Sequence, residues 1–304
     1  MRVIVTGAGG FVGSFLVDAL IERGETVAAW AHDEVDITDA AAVAHAVERD
    51  DPDVVVHLAA QSLPGRSWED PAGTYRVNVG GTINLLEASR RLRSLPRVLL
   101  AGSSAEYAEP ADGLLIREDA AIDPNSPYGS SKFAAMQLGE MYWRRYGLPV
   151  VRFRPFALVG PRKTGDVCSD FARRIVAIER GAGSEMRVGD LRVVRDMIDV
   201  RDGVAALRLL IENGIAGETY NICAGRGVSI ADVLNGLCRL TTVPVTVRTD
   251  PALIRPLEQK VKIGDPSKLQ ALGWRPVREL AETLHDILAY WRGRKGSSVA
   301  DAIP

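Results

Sequence analysis

Only three cysteines and four histidines occur in 304 residues, and both types are scattered. Cys168, Cys223 and Cys238 show no C-x-x-C spacing, so neither a disulfide framework nor a zinc site is indicated. The histidines form no cluster and no metal is expected; His57, at a strand end, reads as structural. No hydrophobic run reaches the ~18 residues a membrane span needs. Residue 1 already begins the first strand, so no signal peptide is expected and the reading is a cytoplasmic chain. An excess of one charge is missing too. The 37 basic and 39 acidic residues leave −2, which gives no broad basic field and argues against a nucleic-acid partner. Repeats and low-complexity stretches are absent.

Glycine, by contrast, is plentiful at 29 residues. Gly7, Gly10 and Gly13 stand at G-x-x-G-x-x-G spacing between a short β-branched run, residues 1–6, and a stretch with Phe15, Leu16, Ala19 and Leu20 at helical intervals. Strand, glycine turn and helix in that order are the context of a dinucleotide fingerprint. The turn lets backbone approach a pyrophosphate, and the helix N-terminus offers it free N–H groups. Further strands are predicted at residues 26–30, 53–60, 97–102 and 149–154, separated by helices at 40–48, 79–93 and 128–146. This alternation predicts an α/β fold, a Rossmann-type doubly wound parallel sheet. Ligands bind such sheets beyond the strand C-termini, where Leu58-Ala59-Ala60, Ser103-Ser104 and Pro155-Phe156 should converge.

Tyr128-Gly129-Ser130-Ser131-Lys132 carries the chemistry. On a helix, residues four apart are neighbours, so an ammonium stands one turn from a phenol. A nearby cation favours phenolate and draws the Tyr pKa down from about 10, toward proton exchange near neutrality. Ser103 or Ser104 would supply a third group, a hydroxyl for the reacting oxygen.

Together these residues resemble the extended short-chain dehydrogenase/reductase family in its nucleotide-sugar branch. The landmarks are His57-Leu58-Ala59-Ala60-Gln61-Ser62, Asp70-Pro71, Asn78-Val79-x-Gly81-Thr82, Gly102 through Tyr107, and Ser126 through Lys132. Arg66-Ser67-Trp68-Glu69, Arg187 to Leu191, Arg195-Asp196, Arg255-Pro256-Leu257-Glu258 and Gly264 to Leu269 make the likeness closest to the GDP-mannose 4,6-dehydratase group and its GDP-6-deoxy-4-keto-D-mannose reductases. The resemblance implies catalytic roles for Ser103, Tyr128 and Lys132. It implies cofactor contacts at Gly7, Gly10, Phe11, Val12, Asp36, Ile37, Leu58, Ala59, Ala60, Asn78, Tyr128, Lys132, Pro155 and Leu158. Substrate contacts fall on Ser62, Ser104, Arg173, Arg195, Arg255 and Glu258, the arginines serving a diphosphate. The implied organisation is a dinucleotide domain over 1–153, to which 197–217 and about 261–262 return, a smaller mixed α/β substrate lobe over 154–292, and a frayed tail at 293–304. In relatives the helices at 79–93 and 128–146 build a two-fold four-helix interface, which implies a homodimer. Their apolar stripes, Ile83, Leu86 and Ala88 with Phe133, Met136, Leu138 and Met141, serve such an interface or the core.

Three positions refine the expectation. Ala105 stands where the 4,6-dehydratases of the family carry a glutamate, which favours reduction over dehydration; Glu106 is one residue off and points the other way. Ala157-Leu158 replaces the family's Asn-His pair. Ala31 fills the place where an acid marks NAD preference, so NADP(H) is favoured and NAD(H) possible. His32 is either a contact for the 2′-phosphate or an exposed loop residue, and Asp33 is a second candidate for the ribose. The expected activity is NAD(P)H-dependent reduction of a nucleotide-linked 4-keto-6-deoxy sugar, with GDP the expected nucleotide. The alternatives are a 4-epimerase or 4,6-dehydratase with bound NAD(P), and a nucleotide-sensing homologue without turnover.

Overall fold

The computed structural model describes residues 1–110, 113–254 and 259–294. Its first half alternates strands β1 (Arg2–Thr6), β2 (Thr26–Trp30), β3 (Val54–His57), β4 (Arg97–Ala101) and β5 (Val150–Pro155) with helices. These are α1 (Phe11–Ile21), α2 (Ala40–Asp50), α3 (Pro64–Glu69), α4 (Pro71–Tyr75), α5 (Gly81–Ser89) and α6 (Pro127–Tyr146). The second half runs β6 (Ala157–Val159), α7 (Val167–Glu179), β7 (Glu185–Val188), β8 (Val194–Arg195), β9 (Met197–Asp199), α8 (Val200–Asn213) and β10 (Thr219–Ile222). It ends with β11 (Val228–Ser229), α9 (Ile230–Cys238), β12 (Thr246–Thr249), β13 (Val261–Lys262), α10 (Ser267–Ala271) and α11 (Leu280–Gly293).

Six strands form one parallel sheet in the order β10-β5-β4-β3-β1-β2. Every residue of β3 is buried, as a strand covered on both faces requires. One face is closed by α1 and α8, where Leu16, Leu20, Leu207 and Leu210 pack with Val3 and Val5. On the other face lie α2, α5 and α6, where Val43, Leu86 and Met136 pack with Ile4 and Val55. A further core joins α7, α9 and α11 through Phe171, Ile175, Leu234 and Ile287. The order reverses between β1 and β3, which opens a crevice beyond their C-termini. Among the described residues no helix is long and apolar enough to cross a membrane.

Three expectations change. Val261–Lys262 pairs with β8 rather than the large sheet, because Val194 N–H donates to the Lys260 carbonyl (2.8 Å) and Asp196 N–H to that of Lys262 (3.0 Å). The sixth strand is β10, reached through α8 and not recognised in the sequence. The helix expected over 79–93 begins as a π-helical turn at Arg76–Gly80 and ends at Ser89. Past Ser89 the backbone tightens into i+3 bonds, and Pro96 bars helical continuation.

Candidate active site

The glycine loop is built by contact. Gly7 adopts a positive φ of 68°, and a Cβ there would meet the Ala59 nitrogen at 2.8 Å. At Gly13 a Cβ would strike the Gly7 carbonyl, so α1 lies directly on the turn. Gly10 gives α1 no side-chain cap and no acid occupies its first turn, which leaves the helix's positive end available for an anion. These features fit the pyrophosphate of a nicotinamide dinucleotide.

From this loop a cleft of about 1160 Å³ runs along the strand ends. It is lined by Gly7, Gly10, Phe11, Val12, Leu58, Ala59, Ala60, Ser62, Ser103, Ser104, Tyr128, Lys132, Pro155, Leu158 and Arg195, as the sequence predicts. Ala105, Ala157 and Leu158 line it as well, the Leu158 side chain packing into the core against Gly203, and none of them can carry a proton.

At the chemical end, Ser126 caps α6 by accepting from Gly129 N–H (3.1 Å) and Pro127 occupies its first turn, which sets Tyr128 at the helix mouth. Tyr128 and Ser103 line the same cleft, and against desolvation the Ser103 side chain acts to lower the phenol. Lys132 follows one turn on, only 6% exposed. Burial pulls its ammonium down to about 8, with Glu106 opposing. Desolvation also raises the half-buried Tyr128, and the Ser103 side chain works against that rise. The expectation that Lys132 draws the phenol down is therefore corrected: desolvation is the largest influence on both groups.

Beneath the pair lies a charged network. Glu106, fully buried, accepts from the backbone N–H of Ser103 (2.7 Å) and from Arg154 Nε (2.7 Å). Arg154 Nη1 also donates to the Tyr107 hydroxyl (2.9 Å), which donates to Asn221 Oδ1 (2.8 Å) on β10. His57 is held between the hydroxyls of Thr6 (2.8 Å) and Thr82 (3.2 Å), and burial lowers it to about 3. It stays neutral and structural, as read from the sequence.

Several expected contacts lie elsewhere. Asn78 does not line the cleft. Its amide is spent on Gln61 N–H (2.8 Å), the Gln61 carbonyl (3.1 Å) and Ser131 Oγ (2.9 Å), so it braces α6 instead. Arg173 stacks on Trp291 (5.2 Å), away from the cleft, because α7 turns that face toward α11. The Ile37 side chain is core, 5% exposed. Asp36 is exposed, its carboxyl lowered chiefly by the backbone hydrogen bond from Thr38. His32 is exposed at the end of β2. Beside it Glu34 Oε2 accepts from Ala31 N–H (3.0 Å), and Gly9, Ala31 and Glu34 share a recess of about 280 Å³. An acid thus reaches Ala31, where the family resemblance places the cofactor-selecting residue, from three residues downstream. Arg255, Glu258 and residues 295–304 of the tail expected over 293–304 fall outside the described residues, whereas Gly293 still belongs to α11.

The cleft also recruits residues that sequence reasoning missed. Lys262 on β13 donates to the Ser104 carbonyl (3.0 Å) and is the register partner of Arg195. Gln259 and the loop at 162–166 complete the wall. A two-residue strand and an irregular loop carry no periodic signal, so nothing in the sequence singled them out.

A glycine-turn Rossmann sheet with a Ser-Tyr-Lys cluster at its switch point defines a pyridine-dinucleotide enzyme of the short-chain dehydrogenase type. The profile of the NAD dependent epimerase/dehydratase family matches residues 3–223, and the chain belongs to that family. It is 33% identical over 301 residues to a GDP-6-deoxy-D-mannose reductase of Pseudomonas aeruginosa, covering 96% of this chain and 98% of that one. Its fold is similar to that of RMD from Pseudomonas aeruginosa complexed with NADPH, with a TM-score of 0.89, 31% identity, and 96% and 98% of the two chains covered. The UDP-glucose 4-epimerase of Thermus thermophilus in complex with NAD gives a TM-score of 0.87 at 30% identity, covering 96% and 99%. The homologues are thus NAD(P)-dependent nucleotide-sugar enzymes.

Proposed function

We propose that this protein is an NAD(P)H-dependent 4-ketoreductase of a nucleotide-linked 4-keto-6-deoxy sugar of the GDP-4-keto-6-deoxymannose type, with Ser103, Tyr128 and Lys132 as its catalytic residues. The observation that carries this reading is the convergence of Ser103, Tyr128 and Lys132 on one cleft whose dehydratase position is Ala105. Glu106 does not replace the missing acid, since its carboxylate is engaged beneath the site by Ser103 N–H and Arg154.

The nicotinamide, when bound, supplies the hydride. Tyr128 protonates the alkoxide formed at the sugar C4, and Ser103 donates to that oxygen as charge builds. Lys132 stabilises the phenolate left behind. Arg195 and Lys262, cross-strand neighbours on one wall, hold the diphosphate. NADP(H) is the proposed reductant, supported by Ala31 and by the NADPH complex of a similar structure, with NAD(H) also accepted. Glu34 is the group that opposes a 2′-phosphate. We propose a homodimer through α5 and α6, since Met141 remains 59% exposed.

The test is to generate GDP-4-keto-6-deoxymannose enzymatically, add NADPH and follow absorbance and sugar product. Stoichiometric oxidation with a 4-hydroxy product supports the reading. Isomerisation without NADPH loss favours an epimerase, and no change with bound cofactor excludes this substrate.

A further inference from the structure

Glu106 is a charged residue sealed under the reacting groups, and its surroundings are built to keep it there. It is the third residue of the capping box that starts at Ser103, so its carboxylate reaches back to the Ser103 N–H (2.7 Å). A Cβ at Gly102 would collide with Oε1, so the glycine makes the room. Arg154, 5% exposed on β5, closes the other oxygen at 2.7 Å. A buried pair of this kind is weak evidence for stability, because an apolar pair of similar volume serves as well or better. Its retention beneath a proton-transfer site therefore asks for another reason.

We propose that Glu106 is a positioning residue that aims the Ser103 hydroxyl and, through its buried charge, holds the proton on the Tyr128 phenol. The first half follows from geometry: the carboxylate pins the Ser103 backbone, and Ser103 lines the same cleft as Tyr128. The second half follows from charge. Negative charge close to a phenol and an ammonium favours the protonated form of both, and Glu106 acts in that sense on Tyr128 and on Lys132. The groups facing this centre are Ser103 from the end of β4, Lys132 from α6, Arg154 from β5 and Lys262 from β13, the last held on the Ser104 carbonyl. In the reducing direction the phenol must arrive protonated, so a fixed anion below it extends the pH range of the forward reaction.

The proposal deepens the ketoreductase reading, but its test does not depend on the substrate. Tyrosine labelled at the Cζ carbon is titrated by NMR, with Tyr128 assigned from the Tyr128→Phe spectrum. Glu106→Gln should lower the Tyr128 titration by on the order of one pH unit. The alkaline limb of kcat, which Lys132 sets, should move down as well because the same anion supports its ammonium, while KM for NADPH stays put. Glu106→Asp keeps the charge but withdraws it from the Ser103 N–H; it should retain the wild-type titration and lose turnover. If Glu106→Gln does not fold, Glu106→Gln with Arg154→Met removes both charges and should show a smaller shift in the same downward direction, since the lost cation acts the other way. An unchanged Tyr128 titration in the charge-neutral variants, with only the melting temperature altered, would overturn the proposal. A failed assay on the GDP-linked ketosugar with a shifted titration would overturn the substrate reading and leave this one standing.

Discussion

Tyr128 stands half-buried one helical turn before a buried cation. Desolvation raises the phenol, so it is protonated at neutral pH, as a proton donor must be. Tyr128→Phe is expected to lower kcat by about 10²–10⁴-fold while NADPH affinity, read by fluorescence quenching, changes little. Lys132 carries its charge only below about pH 8. The depressed ammonium is protonated at neutral pH and neutral above that value, so phenolate stabilisation is lost on the alkaline side. Reduction should decline as pH rises through about 8, and Lys132→Met should be slow throughout with that limb abolished. Glu34 belongs to the same scale. Replacing it with glutamine removes the negative charge from the Ala31 recess and should raise kcat/KM with NADPH relative to NADH; an unchanged ratio would show that the cofactor's ribose lies elsewhere.

Among the elements, α6 matters most, because its first turn presents Tyr128 and its second presents Lys132. The helix starts where it does through Ser126 and Pro127, a cap and a residue with its φ already set. Ser126→Ala should cost about 0.5–2 kcal/mol in denaturant unfolding. It should also lower kcat more than KM, as the helix mouth frays under the phenol. The signals for this element stood in the sequence in plain form, as they did for the continuous apolar strands. What could not be read there were roles set by tertiary partners. Asn78 has the look of a ligand residue, yet its hydrogen-bonding capacity is used up by Gln61 and Ser131. Arg173 has the charge for a phosphate and stacks on the face of Trp291. Lys262 sits in a two-residue strand whose neighbour, β8, is distant in sequence, so its arrival beside Arg195 follows only from the folded chain.

For the whole molecule, the parallel sheet and the crevice beyond its strand C-termini were legible from alternation and the glycine loop, and they locate the cleft. The sixth strand was not, because Thr219–Ile222 reads as a short motif until α8 brings it against β5. The expected division into a dinucleotide domain and a substrate lobe stands as our proposal, with β10 added to the first and β13 moved to the second. The helical stripes divide as well. Leu86 and Met136 are core, whereas Met141 faces solvent. The proposed homodimer should appear by light scattering at micromolar concentration, and Met141→Asp should weaken it; a wild-type monomer would remove α5 and α6 as an interface.

The central claim is that hydride reaches the sugar C4 while Tyr128 supplies the proton. Reduction with NADPH deuterated at the transferring position of C4, followed by NMR of the isolated sugar, tests it most directly. The account predicts one deuterium at the sugar C4 with the wild-type protein and a much slower appearance of that product with Tyr128→Phe. Deuterium retained in the cofactor while the sugar isomerises, or equal rates for the two proteins, would contradict it.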